Sequence, residues 1–151
     1  MRNFVLDTNL VLAFQKTNQN LIDKVVSEND LNGSDAYLII SAITKGELLS
    51  IALQNNWGEA KRQRLSQILE SMIILDVGGD NEILLNAYAE IDAFCKKRHP
   101  IKKLAGSAKP MGKNDLWIAA TAMAAKATLL TADSKFQHIA DVMISMKFYR
   151  P

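Results

Sequence analysis

Cysteine is almost absent from this chain: Cys95 is the only one among 151 residues. That excludes a disulfide framework and a cysteine-rich zinc site. The two histidines, His99 and His138, have no ligand-like spacing and read as surface or packing residues. Three prolines and seven glycines leave little room for linkers, so residues 1–151 are expected to form one domain. No apolar run approaches the ~20 residues of a membrane span. The opening run F-V-L is cut at Asp7 after three residues, unlike a signal peptide. A reducing, cytoplasmic setting is the expectation.

What is present is an ordinary globular composition, 48% hydrophobic and 23% charged. The net charge of +2 is small but uneven. Residues 96–113 carry Lys96, Lys97, Arg98, Lys102, Lys103, Lys109 and Lys113 and no acid. Lys61, Arg62 and Arg64 form a second basic group. Such patches suit a phosphate backbone, and they equally suit a solvated face; composition alone leaves both open.

Short apolar runs alternate with amphipathic stretches. Strands are expected at 4–6, 36–40, 72–77, 127–131 and 142–146. Helices are expected at 10–14, 18–29, 42–57, 59–71, 81–98 and 114–126, with Gly58 breaking or bending the third. A turn or short helix is expected at 136–140. The basic loop 99–112 is expected to hold one helical turn near 102–105. Strands alternating with helices predict a mainly parallel sheet with helices on both faces, an α/β fold.

Chemistry-bearing residues sit at the element ends. The first strand stops at Asp7, Thr8 and Asn9, where a parallel sheet places its ligands. Asp7 also reads as a helix cap. Asp115 lies in a first helical turn and Asp133 just after a strand, each with an ordinary role in dipole or turn. Glu47 lies inside a helix, and Thr44 to Glu47 has the spacing of a capping box. Together the four acids fall near one edge of the inferred sheet. Carboxylates gathered without countercharge raise each other's pKa, and a divalent cation removes that cost. An all-oxygen donor set suits Mg²⁺ or Mn²⁺, and with a basic surround it suits phosphodiester hydrolysis.

Four segments in order, L-D-T-N at 6–9, I-S-A-I-T-K-G-E-L at 40–48, G-K-N-D-L-W-I-A-A-T-A at 112–122 and L-L-T-A-D-S-K-F at 129–136, carry a resemblance. The chain resembles the PIN-domain family over essentially its whole length, and within it the VapC-type toxin ribonucleases of bacterial toxin–antitoxin systems. The resemblance implies a three-layer α/β/α sandwich and an endoribonuclease dependent on Mg²⁺ or Mn²⁺. It maps the acidic cluster onto Asp7, Glu47, Asp115 and Asp133, as catalytic residues and metal ligands. Thr8, Asn9, Ser41, Thr44 and Thr131 match polar positions that support the acids or bound water; Asn9 is expected to orient Asp7. The chain departs from the pattern at Lys135, where many relatives carry an acid, and at Lys113 and Asn114. Lys113 is expected to approach the scissile phosphate or to balance the cluster.

On this reading Lys102, Lys103, Lys109 and Lys113 hold the RNA backbone. Trp57 and Tyr88 are expected in the core or an interface, with base stacking as the alternative. The resemblance further implies a homodimer and a small antitoxin partner, with residues 21–26 and 43–53 as interface stretches. A housekeeping RNA-processing nuclease and a non-catalytic RNA-binding module are the alternatives. A haloacid-dehalogenase-type hydrolase would need a second acid at Asn9.

Overall fold

The structure is a computed structural model and describes residues 1–150. The apolar runs become five parallel strands: β1 (Arg2–Leu6), β2 (Ala36–Ser41), β3 (Ile73–Leu75), β4 (Thr128–Thr131) and β5 (Ser145–Phe148). Their spatial order is β3-β2-β1-β4-β5. In register, Val5 of β1 lies between Ile39 of β2 and Leu129 of β4. Parallel neighbours need crossovers. α1 (Thr8–Gln15) and α2 (Gln19–Asn29) join β1 to β2, and α3 (Ala42–Gln54) and α4 (Glu59–Glu70) join β2 to β3. α5 (Glu82–Cys95) and α6 (Lys113–Ala124) join β3 to β4, and a 3₁₀ helix (Ser134–Ile139) leads toward β5.

Successive strand residues face opposite ways, so a run apolar at every position buries both faces. Val5, Ile39 and Leu129 pack with Ile91 and Phe94 of α5 and Leu116 and Ala119 of α6. Phe4, Leu6, Ile40 and Leu130 pack with Leu10, Val25, Leu48 and Leu65 from α1 to α4. This is the expected three-layer sandwich. Tyr88 and Trp117 lock α5 to α6, with ring centroids 4.3 Å apart. Trp57 is half-buried against the α1–α4 core under the Lys61 ammonium. Both aromatics therefore serve packing.

Several boundaries differ from expectation. α3 stops at Gln54 because Asn56 turns left-handed (φ 50°), a conformation Asn tolerates. Gly58 then opens α4 in extended conformation. α5 ends at Cys95, with Lys97 left-handed (φ 59°) just beyond. No helical turn forms at 102–105. Instead the buried His99 ring accepts the N–H groups of Ile101 (3.2 Å) and Lys102 (3.0 Å), replacing helical partners. The last strand starts at Ser145, later than its apolar run predicts, because Met143 donates its N–H back to the Ile139 carbonyl (3.0 Å). The stretch 21–26 is not a free interface: Leu21 and Val25 are buried in the chain's own core. Within 43–53, by contrast, Leu49 and Leu53 are 48% and 68% exposed. No helix among the described residues is long and apolar enough to cross a membrane.

The strand order reverses direction at β1. The carboxyl ends of β1 and β4 therefore flank a switch point, the crevice where open α/β sheets place their ligands.

Candidate active site

Asp7 is both a helix cap and a member of that crevice. It follows β1 in extended conformation, and its Oδ1 accepts the Leu10 N–H (2.9 Å), capping α1. Its own N–H donates to the Leu130 carbonyl (3.1 Å), tying the β1 end to β4. The other carboxylate oxygen accepts the Thr131 hydroxyl (2.5 Å). Asp7 is 3% exposed, and burial pushes its pKa up to about 6. The hydrogen bonds from Thr131 and Leu10 oppose that rise, while the charges of Asp133 and Asp115 add to it.

Thr131 couples two acids. Its single proton goes to Asp7, and its oxygen accepts the Asp133 N–H (2.9 Å). Asp133 caps the 3₁₀ helix by accepting the Lys135 N–H (2.9 Å). Its second oxygen accepts the Asn9 amide (3.2 Å) and lies 3.6 Å from the Lys135 ammonium. Asn9 thus orients Asp133, contrary to the expectation that it orients Asp7; Asp7 is already held by Leu10 and Thr131.

Glu47 is no capping residue. Ser41 caps α3 through the Ile43 N–H (3.1 Å), and Thr44 is buried within the helix. The Glu47 carboxylate accepts the Thr8 hydroxyl (2.7 Å) on one oxygen and the Asn114 amide (3.3 Å) on the other. Thr44 stands 3.4 Å from the Thr8 hydroxyl. Asp115 lies in the first turn of α6, which opens at Gly112 with no side-chain cap. Burial raises its pKa; Lys135 pulls it down, and Asp133 and Glu47 push it up. Three strand or helix ends and one helix face thus bring all four sequence-predicted acids into one electrostatic field.

The predicted lysines divide. Lys102 donates to the Val142 carbonyl (3.3 Å) and Lys103 to the His99 carbonyl (3.2 Å), so both ammonium groups fasten their own loop. Lys113 is exposed at the start of α6, and Lys109 lines a cleft of about 340 Å³ beside Asp115. That cleft also carries Ser134, Lys135, Gln137 and His138, which sequence reasoning did not assign to the site. The one available signal was Lys135, noted only as a departure from the acidic pattern.

The donor chemistry fits a hard divalent cation: four carboxylates, neutral oxygen donors and one nearby ammonium. Among the described residues no three such groups are arranged to share an ion; the Asp7, Glu47 and Asp133 carboxylates are turned toward protein donors. Mg²⁺ commonly takes one or two carboxylates and keeps several waters, so this donor set needs no closed protein cage.

The sequence profile described as the PIN domain matches residues 4–142. Ribonuclease VapC1 of Haemophilus influenzae (strain R2866) is 30% identical over 140 residues, covering 92% of this chain and 93% of that protein. The structure of VapBC-1 from nontypeable Haemophilus influenzae superposes with a TM-score of 0.72 at 27% identity, covering 97% of each chain. The crystal structure of VapBC2 from Rickettsia felis, bound to a DNA fragment from its promoter, gives a TM-score of 0.74 at 22% identity. It covers 97% of this chain and 98% of that one, a likeness of fold.

Proposed function

The chain belongs to the PIN-domain family, and on that premise we propose that it is a metal-dependent endoribonuclease acting as the toxin of a toxin–antitoxin pair. The observation that carries this reading is Asp7. It is a buried carboxylate pushed up to about 6 with two further acids acting on it, at the switch point of a parallel sheet. Such a group is poorly matched by protein alone and well matched to a cation.

Asp7, Asp115 and Asp133 would hold Mg²⁺ or Mn²⁺, directly or through water. The ion, when bound, supplies charge stabilisation at phosphorus and lowers the pKa of water. Glu47 is held on both oxygens by Thr8 and Asn114, which fixes it to place the attacking water and accept its proton. Water oxygen bonds to phosphorus, the P–O3′ bond breaks, the departing O3′ takes a proton from solvent, and the products are a 5′-phosphate and a 3′-hydroxyl. Thr131 and Asn9 keep Asp7 and Asp133 in place. Lys113, exposed beside Asp115, is read as a contact for the RNA backbone.

The relatives solved as VapBC assemblies support a small antitoxin partner. The groove between α3 and α4, about 510 Å³ and lined by Leu49, Leu53, Leu65 and Leu69, offers a concave surface to an apolar partner segment. A homodimer and a cytoplasmic location complete the reading. The test is cleavage of single-stranded RNA with Mn²⁺ by wild type and Asp7→Asn. Wild type is expected to cut at least 100-fold faster; equal rates would contradict the reading.

A further inference from the structure

We propose that the cleft between the 3₁₀ helix and the loop entering α6 is the phosphate-backbone subsite for RNA beside the scissile bond. Lys109 and Lys135 are its cations, and His138 is the residue that positions Lys109. The inference rests on the nuclease reading and assigns its substrate contacts.

The cleft is about 340 Å³, within the usual size of ligand sites, and Asp115 at one end joins it to the acidic cluster. Four of the basic side chains in residues 96–113 are engaged elsewhere. Lys96 pairs with Asp92 (2.9 Å), Lys97 donates to the Gly106 carbonyl, Lys102 to Val142 and Lys103 to His99. Lys97 and Lys103 hold the loop in shape, Lys102 ties it to the turn before β5, and Lys96 pairs with its own helix end. Lys109 is in no ion pair among the described residues and faces the cleft.

The backbone of Lys109 is pinned from below. Its N–H donates to the Cys95 carbonyl (2.8 Å). The His138 ring meets the Cys95 sulfur (3.2 Å from Nε2) and stands beside the Lys109 backbone. Burial raises the Cys95 thiol to about 11, so the sulfur that meets Nε2 is protonated. The tautomer this role requires has the thiol donating to Nε2 and the ring proton on Nδ1, available to the Lys109 backbone. Burial and Lys109 both hold His138 below its usual pKa, which favours this neutral form.

Lys135 supplies the second cation from the opposite wall. Its backbone N–H is fixed by Asp133 (2.9 Å), while its side chain is 67% exposed and its ammonium stands 3.6 Å from that carboxylate. So loose a pair leaves the ammonium free to turn to a phosphate. The two lysines offset the repulsion that Asp115 would exert on an entering phosphodiester, which a cleft carrying that acid alone could not do.

The test is fluorescence anisotropy of a labelled single-stranded RNA 12-mer, in EDTA to prevent cleavage, across 50–300 mM KCl. Lys109→Gln and Lys135→Gln are each expected to weaken binding three- to tenfold at low salt. Each should also reduce the slope of log K against log salt by ~0.7, the value for one single-strand phosphate contact. Lys16→Gln, on the far end of α1, serves as the neutral control. His138→Ala should lose slope like Lys109→Gln, and His138→Asn, which keeps a donor near Nδ1, should restore it; a purely structural histidine would shift melting temperature without this rescue. Unchanged slopes in Lys109→Gln and Lys135→Gln, or the loss appearing in a Lys102→Gln/Lys103→Gln double variant instead, would overturn the subsite. If wild type binds RNA through these lysines yet cuts no faster than Asp7→Asn, the nuclease reading fails and the subsite stands.

Discussion

The two ends of the central sheet treat the same residue type in opposite ways. At the amino end, Arg2 grips Asp35 with two hydrogen bonds (2.9 and 2.8 Å) and donates to the Asp30 carbonyl (2.9 Å). The guanidinium holds Asp35 well below the usual range, at about 2. Nearby, Lys147 donates to the Asn29 side chain (2.7 Å), which donates to the Tyr149 hydroxyl (2.8 Å). At the carboxyl end, the four acids make one loose ion pair, Asp133 with Lys135, and Asp7 is pushed up to about 6. One end is matched by protein partners and serves alignment of β1 with its neighbours. The other is left short of positive charge, as a site must be if a cation is to enter it.

Four variants test that contrast. The largest effect is expected on activity: Asp7→Asn should lower RNA cleavage with Mn²⁺ by on the order of 10²–10⁴-fold. Asp35→Asn, in the same assay, should leave it within about twofold. Next, Glu47→Gln should reduce kcat by on the order of 10²–10³-fold with little change in KM, because the carboxylate is read as acting on the attacking water. Thr8→Val, which removes the 2.7 Å donor to Glu47, should cost about tenfold in kcat. Steady-state kinetics on one RNA substrate checks both.

A third effect concerns stability without metal. The folded pKa of Asp7, about 6, lies above its ordinary 3.8. Below pH ~4 the group is protonated folded or unfolded and carries no penalty. As pH rises from ~4 to ~6 the folded state loses stability, and above ~6 the penalty is constant. A shift of this size corresponds to about 3 kcal/mol at most. Asp7→Asn removes the penalty but turns an amide toward the Thr131 hydroxyl, which costs at least about 1 kcal/mol, so a gain of up to about 2 kcal/mol at pH 7 is expected. Urea unfolding at several pH values should show that gain shrinking toward pH 4. The smallest effect belongs to the amino end. Asp35→Asn should lower stability slightly and less so in high salt, because the ion pair is solvent-exposed. That loss should fade as pH falls from ~4 to ~2, the window set by the depressed pKa of Asp35.

What was legible in the sequence was local or strictly periodic. The strand F-V-L ending at Asp7 could be read because the apolar run and its polar stop are adjacent. The same holds for Thr131 and Asp133 and for Asp115 at the start of α6. The sandwich followed from runs apolar at every position. Long-range choices could not be read. Asn9 had two acids within its reach, and only the packing of α1 against the end of β4 selects Asp133. The fates of Lys102 and Lys103 depend on backbone carbonyls, which carry no sequence signal. His99 could not be foreseen as the acceptor that replaces a helical turn. Met143 and Ile144 look like strand residues because a buried turn asks for the same apolar side chains as a buried strand. Lys135 and His138 acquire meaning only when the 3₁₀ helix is set beside the loop before α6.

The central claim is that the carboxyl-end acids are unmatched because they await a divalent ion. It is tested most directly by thermal unfolding at pH 7 with increasing Mn²⁺, for wild type and Asp7→Asn side by side. Saturating a native-state site at 100 times its Kd stabilises by about 2.7 kcal/mol, which for a chain of this size is roughly 5–10 °C. The account predicts such a rise for wild type and little or none for Asp7→Asn, although the variant starts from the higher melting temperature without metal. Equal Mn²⁺ responses in the two proteins, or none in wild type, would contradict it.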